Sequence, residues 1–146
     1  MRYCDTSFLA PLILEEPTSA RVERFVAALP LGEAAISHWT RAEFASLLAR
    51  EVRMGGLAPQ AADEAGAQFE AMVQESFIIL LPDAHDFDLA RAFLGNYATR
   101  LRAGDALHLA VAGNHGAAVI YSLDTGLLKA GGMLKLPVSM GIRMAG

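Results

Sequence analysis

Short apolar runs alternate with longer amphipathic segments along the whole chain. Strands are predicted near residues 2–4, 34–37, 77–81, 118–123 and 134–139. Between them, apolar positions recur at helical spacing, as in segments 21–29 and 59–76. Strands and helices that alternate at this length favour a parallel sheet with helices on both faces. We therefore expect an α/β protein with three α/β/α layers and a central, mainly parallel sheet.

Capping residues predict where two of the helices begin. Ser7 precedes a helical pattern over residues 8–15, and serine is a residue type that caps helices. Pro11 falls early in this segment, where a missing amide costs least. Asp86 is expected to cap a second helix over residues 87–96.

Length and cysteine content limit the class of protein. The 146 residues are enough for one ordinary domain, which we expect to cover residues 1–146. No uninterrupted apolar stretch is long enough to span a membrane. Cys4 is the only cysteine, so no disulfide can form within the chain, which fits a reducing cytoplasm.

Hydrophobicity and charge bear on the partners of the chain. Hydrophobic residues make up 53% of the sequence, more than a small monomer readily hides, so a homodimer or another protein partner is expected. The net charge of -4 argues against a general basic coat for nucleic acid. Any contact with nucleic acid must therefore be local.

Four acidic residues stand at the ends of predicted elements: Asp5, Glu43, Asp105 and Asp124. Asp5 and Asp124 follow strand-like runs, whereas the other two begin helical patterns. Strand ends and helix starts share one edge of a parallel sheet, where ligands bind, so we expect the carboxylates to converge. Their mutual repulsion would oppose folding unless a cation lay between them. Carboxylate oxygens suit Mg²⁺ or Mn²⁺, and such an ion would activate water for phosphodiester hydrolysis.

Three of these acids also have purely structural explanations. Glu43 and Thr40 have the spacing of a capping box at a helix start. Asp105 lies in a first helical turn, where the positive end of the helix dipole favours an acid. Gly126 allows an Asx-type turn at Asp124. Asp5 and Asp124 are nevertheless harder to explain in this way, because aspartate is a poor strand former and neither has an adjacent glycine that would mark a tight hairpin.

Four segments together carry a family resemblance, and they span nearly the whole chain. They are Tyr3-Cys4-Asp5-Thr6-Ser7, Thr40-Arg41-Ala42-Glu43, Arg102-Ala103-Gly104-Asp105-Ala106-Leu107-His108-Leu109-Ala110 and Ser122-Leu123-Asp124. In order, spacing and total length the chain resembles the PIN-domain family, and especially its VapC-type toxins. The segment around Asp105 is the most specific of the four.

The resemblance implies a Mg²⁺- or Mn²⁺-dependent endoribonuclease with a PIN-like α/β/α fold. Its acidic metal cluster would consist of Asp5, Glu43, Asp105 and Asp124. Ser7 and Ser122 would have a polar supporting role beside the cluster, where their hydroxyls would orient a ligand or water. VapC-type toxins are usually homodimers that a cognate antitoxin neutralises, so the resemblance also implies these partners.

Two further functions stay open at this stage. A PIN-like module that binds RNA or protein without cutting would keep the fold but bind metal weakly. An aspartyl-phosphate phosphatase would use Asp5 as its nucleophile, but such sites have a second aspartate where this chain has Ser7.

Side chains near the acids are also ambiguous. The four histidines lack the spacing of a zinc site, and His108 is expected to be a packed structural residue. Arg100 and Arg102 either receive substrate phosphates or form a solvated pair in a loop.

Overall fold

Five short strands form one parallel sheet in the computed structural model, which describes residues 1–143. The strands are β1 (Arg2–Cys4), β2 (Ala34–Ser37), β3 (Ile78–Leu80), β4 (Val119–Tyr121) and β5 (Val138–Ser139). Their order across the sheet is β3-β2-β1-β4-β5, and every neighbouring pair is parallel. The predicted central parallel sheet is confirmed.

Seven α-helices connect the strands within residues 1–143. They are α1 (Thr6–Leu9), α2 (Ser19–Ala27), α3 (His38–Arg53), α4 (Pro59–Ser76), α5 (Ala84–Leu94), α6 (Ala103–Asn114) and α7 (Thr125–Met133). Two 3₁₀ turns, Ala10–Leu12 and Tyr97–Thr99, complete the connections. None of these helices is both long and apolar enough to cross a membrane.

The apolar core lies in two parts on opposite faces of the sheet. Successive strand side chains point to opposite faces, so Cys4 and Tyr3 belong to different clusters. Cys4 packs with Phe8, Phe44 and other residues of α1–α4, whereas Tyr3 packs with residues of α6 and α7 such as Leu109. This arrangement gives the expected three α/β/α layers.

The first helix differs from the prediction for residues 8–15. Helix α1 begins at Thr6, and its cap is Asp5, whose Oδ1 accepts the Phe8 amide at 3.0 Å. The prediction of Ser7 as the cap was wrong, because Ser7 lies inside the helix. After Leu9 the chain tightens into a 3₁₀ turn that contains Pro11, which has no amide hydrogen to donate to an α-helical hydrogen bond.

The start of α5 was also misplaced. Asp83 caps this helix through the amide of His85 at 3.0 Å. Asp86 is buried in the first turn, where it accepts the Asp83 amide at 3.0 Å and the Asn114 side chain at 2.9 Å. It therefore completes a capping box and ties α5 to the end of α6.

Candidate metal centre

All four predicted acids lie at the carboxyl edge of the sheet. Asp5 directly follows β1, and Asp124 follows β4 as the cap of α7. Glu43 lies in the second turn of α3, which starts where β2 ends, and Asp105 lies in the first turn of α6. Because every strand is parallel, this topology brings residues 119 positions apart to the same edge.

Asp5 is almost completely buried, with 2% of its surface exposed. Its Oδ1 accepts hydrogen bonds from the Ser7 hydroxyl at 2.8 Å and the Phe8 amide at 3.0 Å. Its Oδ2 accepts the Ser122 hydroxyl at 2.6 Å. Burial raises the pKa of Asp5, and the positive charge of His108 and these hydrogen bonds oppose that rise. So enclosed a carboxylate is poorly placed to attack a substrate, which disfavours the phosphatase hypothesis.

The two serines connect Asp5 to the loop after β4. Ser7 Oγ accepts the Leu123 amide at 3.0 Å, and Ser122 Oγ accepts the Asp124 amide at 3.0 Å. Each hydroxyl thus accepts from the loop and donates to Asp5. The expected position of both serines beside the acids agrees with the structure, while their action on a ligand or water stays a prediction.

Glu43 is held by a buried histidine. His108 Nε2 lies 2.8 Å from Glu43 Oε1, and its Nδ1 lies 2.8 Å from the Tyr3 hydroxyl, which donates to Ser37 Oγ at 3.1 Å. Burial alone would lower the pKa of His108, but Tyr3 and Glu43 raise it to about 10. Burial likewise opposes ionisation of Glu43, yet the hydrogen bond and charge of His108 lower its pKa overall. A protonated His108 therefore donates to both partners.

The capping explanation for Glu43 was wrong, and the role of His108 was missed. Helix α3 begins with a capping box formed by Ser37 and Thr40, in which the Ser37 amide donates to Thr40 Oγ1 at 3.2 Å. Glu43 is not part of this capping box. His108 is a packed histidine as expected, with no exposed surface, but it also orients a candidate metal ligand. Its position three residues after Asp105, on a neighbouring face of one helix, was the available signal.

Asp105 and Asp124 line one open cavity of about 600 Å³. Burial and then the charge of Asp124 raise the pKa of Asp105 to about 6, with smaller contributions in the same direction from Glu43 and Asp5. All four acids therefore share one electrostatic environment. Asp124 Oδ1 accepts the Gly126 amide at 2.8 Å, which confirms the turn that its sequence allows.

The donor chemistry of this edge fits a hard divalent cation. Four carboxylates lie at one edge of the sheet, and burial together with the charge of Asp124 raises the pKa of Asp105. In the side-chain conformations of residues 1–143, however, no three Asp, Glu, His or Cys side chains are grouped closely enough to hold an ion. The metal ligands therefore stay a prediction that rests on donor type and topology.

Comparison with known proteins decides the family. The family model described as PIN domain matches residues 2–133, which is most of the chain. The chain belongs to the PIN-domain family. This PIN domain has no significant match among curated proteins.

Solved structures share the fold of this PIN domain over nearly its whole length. VapC20 of Mycobacterium tuberculosis, described as a sarcin-ricin loop cleaving toxin, is 24% identical, with a TM-score of 0.70 over 90% of this chain and 95% of that one. FitAcB of Neisseria gonorrhoeae is 21% identical, with a TM-score of 0.73 over 94% and 96%. VapBC-1 of nontypeable Haemophilus influenzae is 17% identical, with a TM-score of 0.65 over 95% and 97%. At these identities the likeness is one of fold.

Proposed function

We propose that this PIN domain is a Mg²⁺- or Mn²⁺-dependent endoribonuclease that acts in the cytoplasm as the toxin of a toxin-antitoxin pair. The observation that carries the proposal is the position of Asp5, Glu43, Asp105 and Asp124 at one sheet edge. Membership of the PIN family supports it. So does the fold shared with VapC20, which is described as a toxin that cleaves the sarcin-ricin loop.

Each acid has a distinct part in this proposal. Asp5 is a fixed ligand, because three donors hold its carboxylate. Glu43 is oriented by His108, which leaves Oε2 for an ion. Asp124 keeps one oxygen for the start of α7 and presents the other. Asp105 makes no side-chain hydrogen bond within residues 1–143, so its carboxylate is available to an ion, a water or a substrate. A bound divalent ion would supply polarisation of the scissile phosphate and activation of water.

The partners are part of the same proposal. Large apolar side chains are exposed on the surface of the described residues, including Leu31, Met54, Leu81, Phe87 and Tyr97. Together with the 53% hydrophobic content of the sequence, they support a surface that meets another chain. We propose a homodimer that a cognate antitoxin covers, and light scattering of the purified protein with and without the antitoxin would test both associations.

Cleavage and metal binding should be measured together. Labelled cellular RNA is incubated with the wild-type protein in Mg²⁺, Mn²⁺ or EDTA, and Mn²⁺ affinity is measured separately by electron paramagnetic resonance. Asp105→Asn should abolish cleavage and weaken Mn²⁺ binding. Asp63→Asn is the matched control, because Asp63 is exposed near the start of α4. A folded wild-type protein that binds RNA but neither binds Mn²⁺ nor cuts would establish the non-catalytic PIN-like module instead.

A further inference from the structure

Three basic side chains line the same cavity as Asp105 and Asp124. They are Arg100, Arg102 and Lys129. The arginines come from the connection before α6, and Lys129 comes from α7, so two separate segments contribute to this group. In a chain of net charge -4, these three cations against two carboxylates give the cavity a lining that is positive overall. The absence of a general basic coat left room for only such a local contact with nucleic acid.

In the described part of the chain, these three cations form no ion pairs with the neighbouring acids. The ion pairs among residues 1–143 join Arg2 to Glu33, Arg41 to Glu70, Arg91 to Asp88 and His108 to Glu43. No pair involves the three cations of the cavity, although two carboxylates line the same wall. The three cations are therefore free to bind phosphate groups of a nucleic acid that lies beside the acids.

The backbone that carries Arg100 is fixed in an unfavourable conformation. Arg100 has φ 58° and ψ 23°, the left-handed region, which residues other than glycine rarely adopt. Thr99 braces this turn: its hydroxyl donates to Asn96 O at 2.8 Å and accepts the Leu101 amide at 3.3 Å. Leu101 packs against the core. Arg100 thus ends the 3₁₀ turn Tyr97–Thr99, and the braced turn holds its backbone in one position beside the cavity.

We propose that Arg100, Arg102 and Lys129 form a subsite for the backbone phosphates of a single RNA strand, beside Asp105 and Asp124. Arginine favours this ligand because its planar fork matches two phosphate oxygens. This inference rests on the proposed function in one respect, namely that the polymer is RNA. In this proposal the three cations position the RNA strand, which the four acids cannot do because they repel phosphate.

The test compares the salt dependence of RNA binding in two triple variants. The first is Arg100→Gly, Arg102→Gln and Lys129→Gln, and glycine suits the positive φ of residue 100. The control is Lys135→Gly, Arg50→Gln and Arg53→Gln. Lys135 is likewise exposed at a positive φ of 59°, and the two arginines end α3, away from the site. Both variants lose three positive charges, so the net charge of the protein changes equally in the two.

Binding of a labelled single-stranded RNA is followed by fluorescence anisotropy in EDTA, where no cleavage occurs, over a series of salt concentrations. Each lost phosphate contact should reduce the slope of log Kobs against log salt by about 0.7, hence by about 2 for the first variant. The control should keep nearly the wild-type slope. Circular dichroism and thermal unfolding verify that both variants are folded, and Arg102→Gln alone, which leaves the strained turn untouched, should lower the slope by about 0.7.

Equal slopes in the two triple variants, or no RNA binding by the wild-type protein, would overturn the subsite. In a parallel series, binding of a labelled polyglutamate peptide is measured with the same variants. If binding of the peptide depends on the three cations and binding of RNA does not, the surface serves an acidic protein partner and the inference is wrong. The proposed nuclease activity is judged separately by wild-type cleavage in Mg²⁺. A protein that shows the slope change but never cuts would retain the subsite and lose the proposed reaction.

Discussion

Replacing His108 with leucine should reverse the contribution of Glu43 to stability. In the folded protein, His108 donates to Glu43 at 2.8 Å and contacts the Tyr3 hydroxyl at 2.8 Å. His108→Leu removes both contacts and leaves the Glu43 carboxylate beside an apolar side chain. Tyr3 is less affected, because its hydroxyl still donates to Ser37.

The size of the effect follows from burial and charge. A hydrogen bond to a charged partner contributes about 1.5–3 kcal/mol. Because 30% of the Glu43 side chain is exposed, water recovers part of that energy, so we expect a coupling of about 1.5–2 kcal/mol. Glu43→Gln should therefore destabilise the wild-type protein by about 1 kcal/mol and stabilise the His108→Leu protein by about 0.5–1 kcal/mol.

A double-mutant cycle measures this coupling directly. Urea unfolding without divalent ions gives the free energy of unfolding for the wild-type protein, both single variants and the double variant. At pH 7 the full coupling is present, because the pKa of His108 is raised to about 10 and that of Glu43 is lowered. On the histidine side it is lost as the pH rises through about 10, and on the glutamate side as the pH falls through the lowered pKa of Glu43.

One result would refute this account of the contact. If Glu43→Gln changes the free energy of unfolding equally in both backgrounds, within about 0.5 kcal/mol, the two side chains are not coupled. Glu23→Gln is the matched control, since Glu23 is exposed on α2 and should give the same small change in either background.

Three further changes test neighbouring parts of the site. Gly104→Ala would bring a Cβ within 3.0 Å of a Glu43 oxygen, so RNA cleavage should fall although the fold persists; Gly113→Ala in the same helix meets its nearest atom at 3.6 Å and should cleave normally. Ser122→Ala removes the hydroxyl that donates to the buried Asp5 carboxylate at 2.6 Å, and urea unfolding should show a loss of about 1–2 kcal/mol. An unchanged free energy of unfolding would contradict a stabilising role for this hydrogen bond. Without metal, Asp105→Asn should raise the free energy of unfolding relative to the wild type, and this gain should grow as the pH rises from about 4 to about 7. The reason is that the pKa of Asp105 is raised to about 6, so its ionisation opposes folding as the pH rises, by on the order of 1 kcal/mol after allowance for its exposure. If the free energies of unfolding of the wild type and the variant change in parallel with pH, this sign is wrong.

Much of the fold was predictable because its signals are local. Strands β1 and β2 and helix α4 have the predicted bounds, since apolar runs and helical spacing are read directly from neighbouring residues. The errors occurred where two residues compete for one cap. Asp5 rather than Ser7 caps α1, and Asp83 rather than Asp86 caps α5, because both helices begin earlier than predicted and so include Ser7 and Asp86.

The candidate site was predictable in its acids and less so in what surrounds them. The positions of Asp5 and Asp124 after apolar runs mark the carboxyl ends of strands, and parallel topology then places both at the same edge of the sheet. By contrast, no local signal distinguishes a histidine that orients a carboxylate from one that only packs. His108 acquires its role from Tyr3 and Glu43, which are 105 and 65 positions away in the chain.

The sequence by itself determined the alternation of strands and helices, the acidic residue types at their ends and the resemblance to PIN domains, because all of these depend on residue identity and short-range spacing. Only the tertiary structure decided which carboxylates are buried, which are oriented by a partner and which share a cavity with Arg100, Arg102 and Lys129. The physical reason is that burial, hydrogen-bond geometry and electrostatic coupling depend on distances between atoms, and the crossovers of the sheet set those distances.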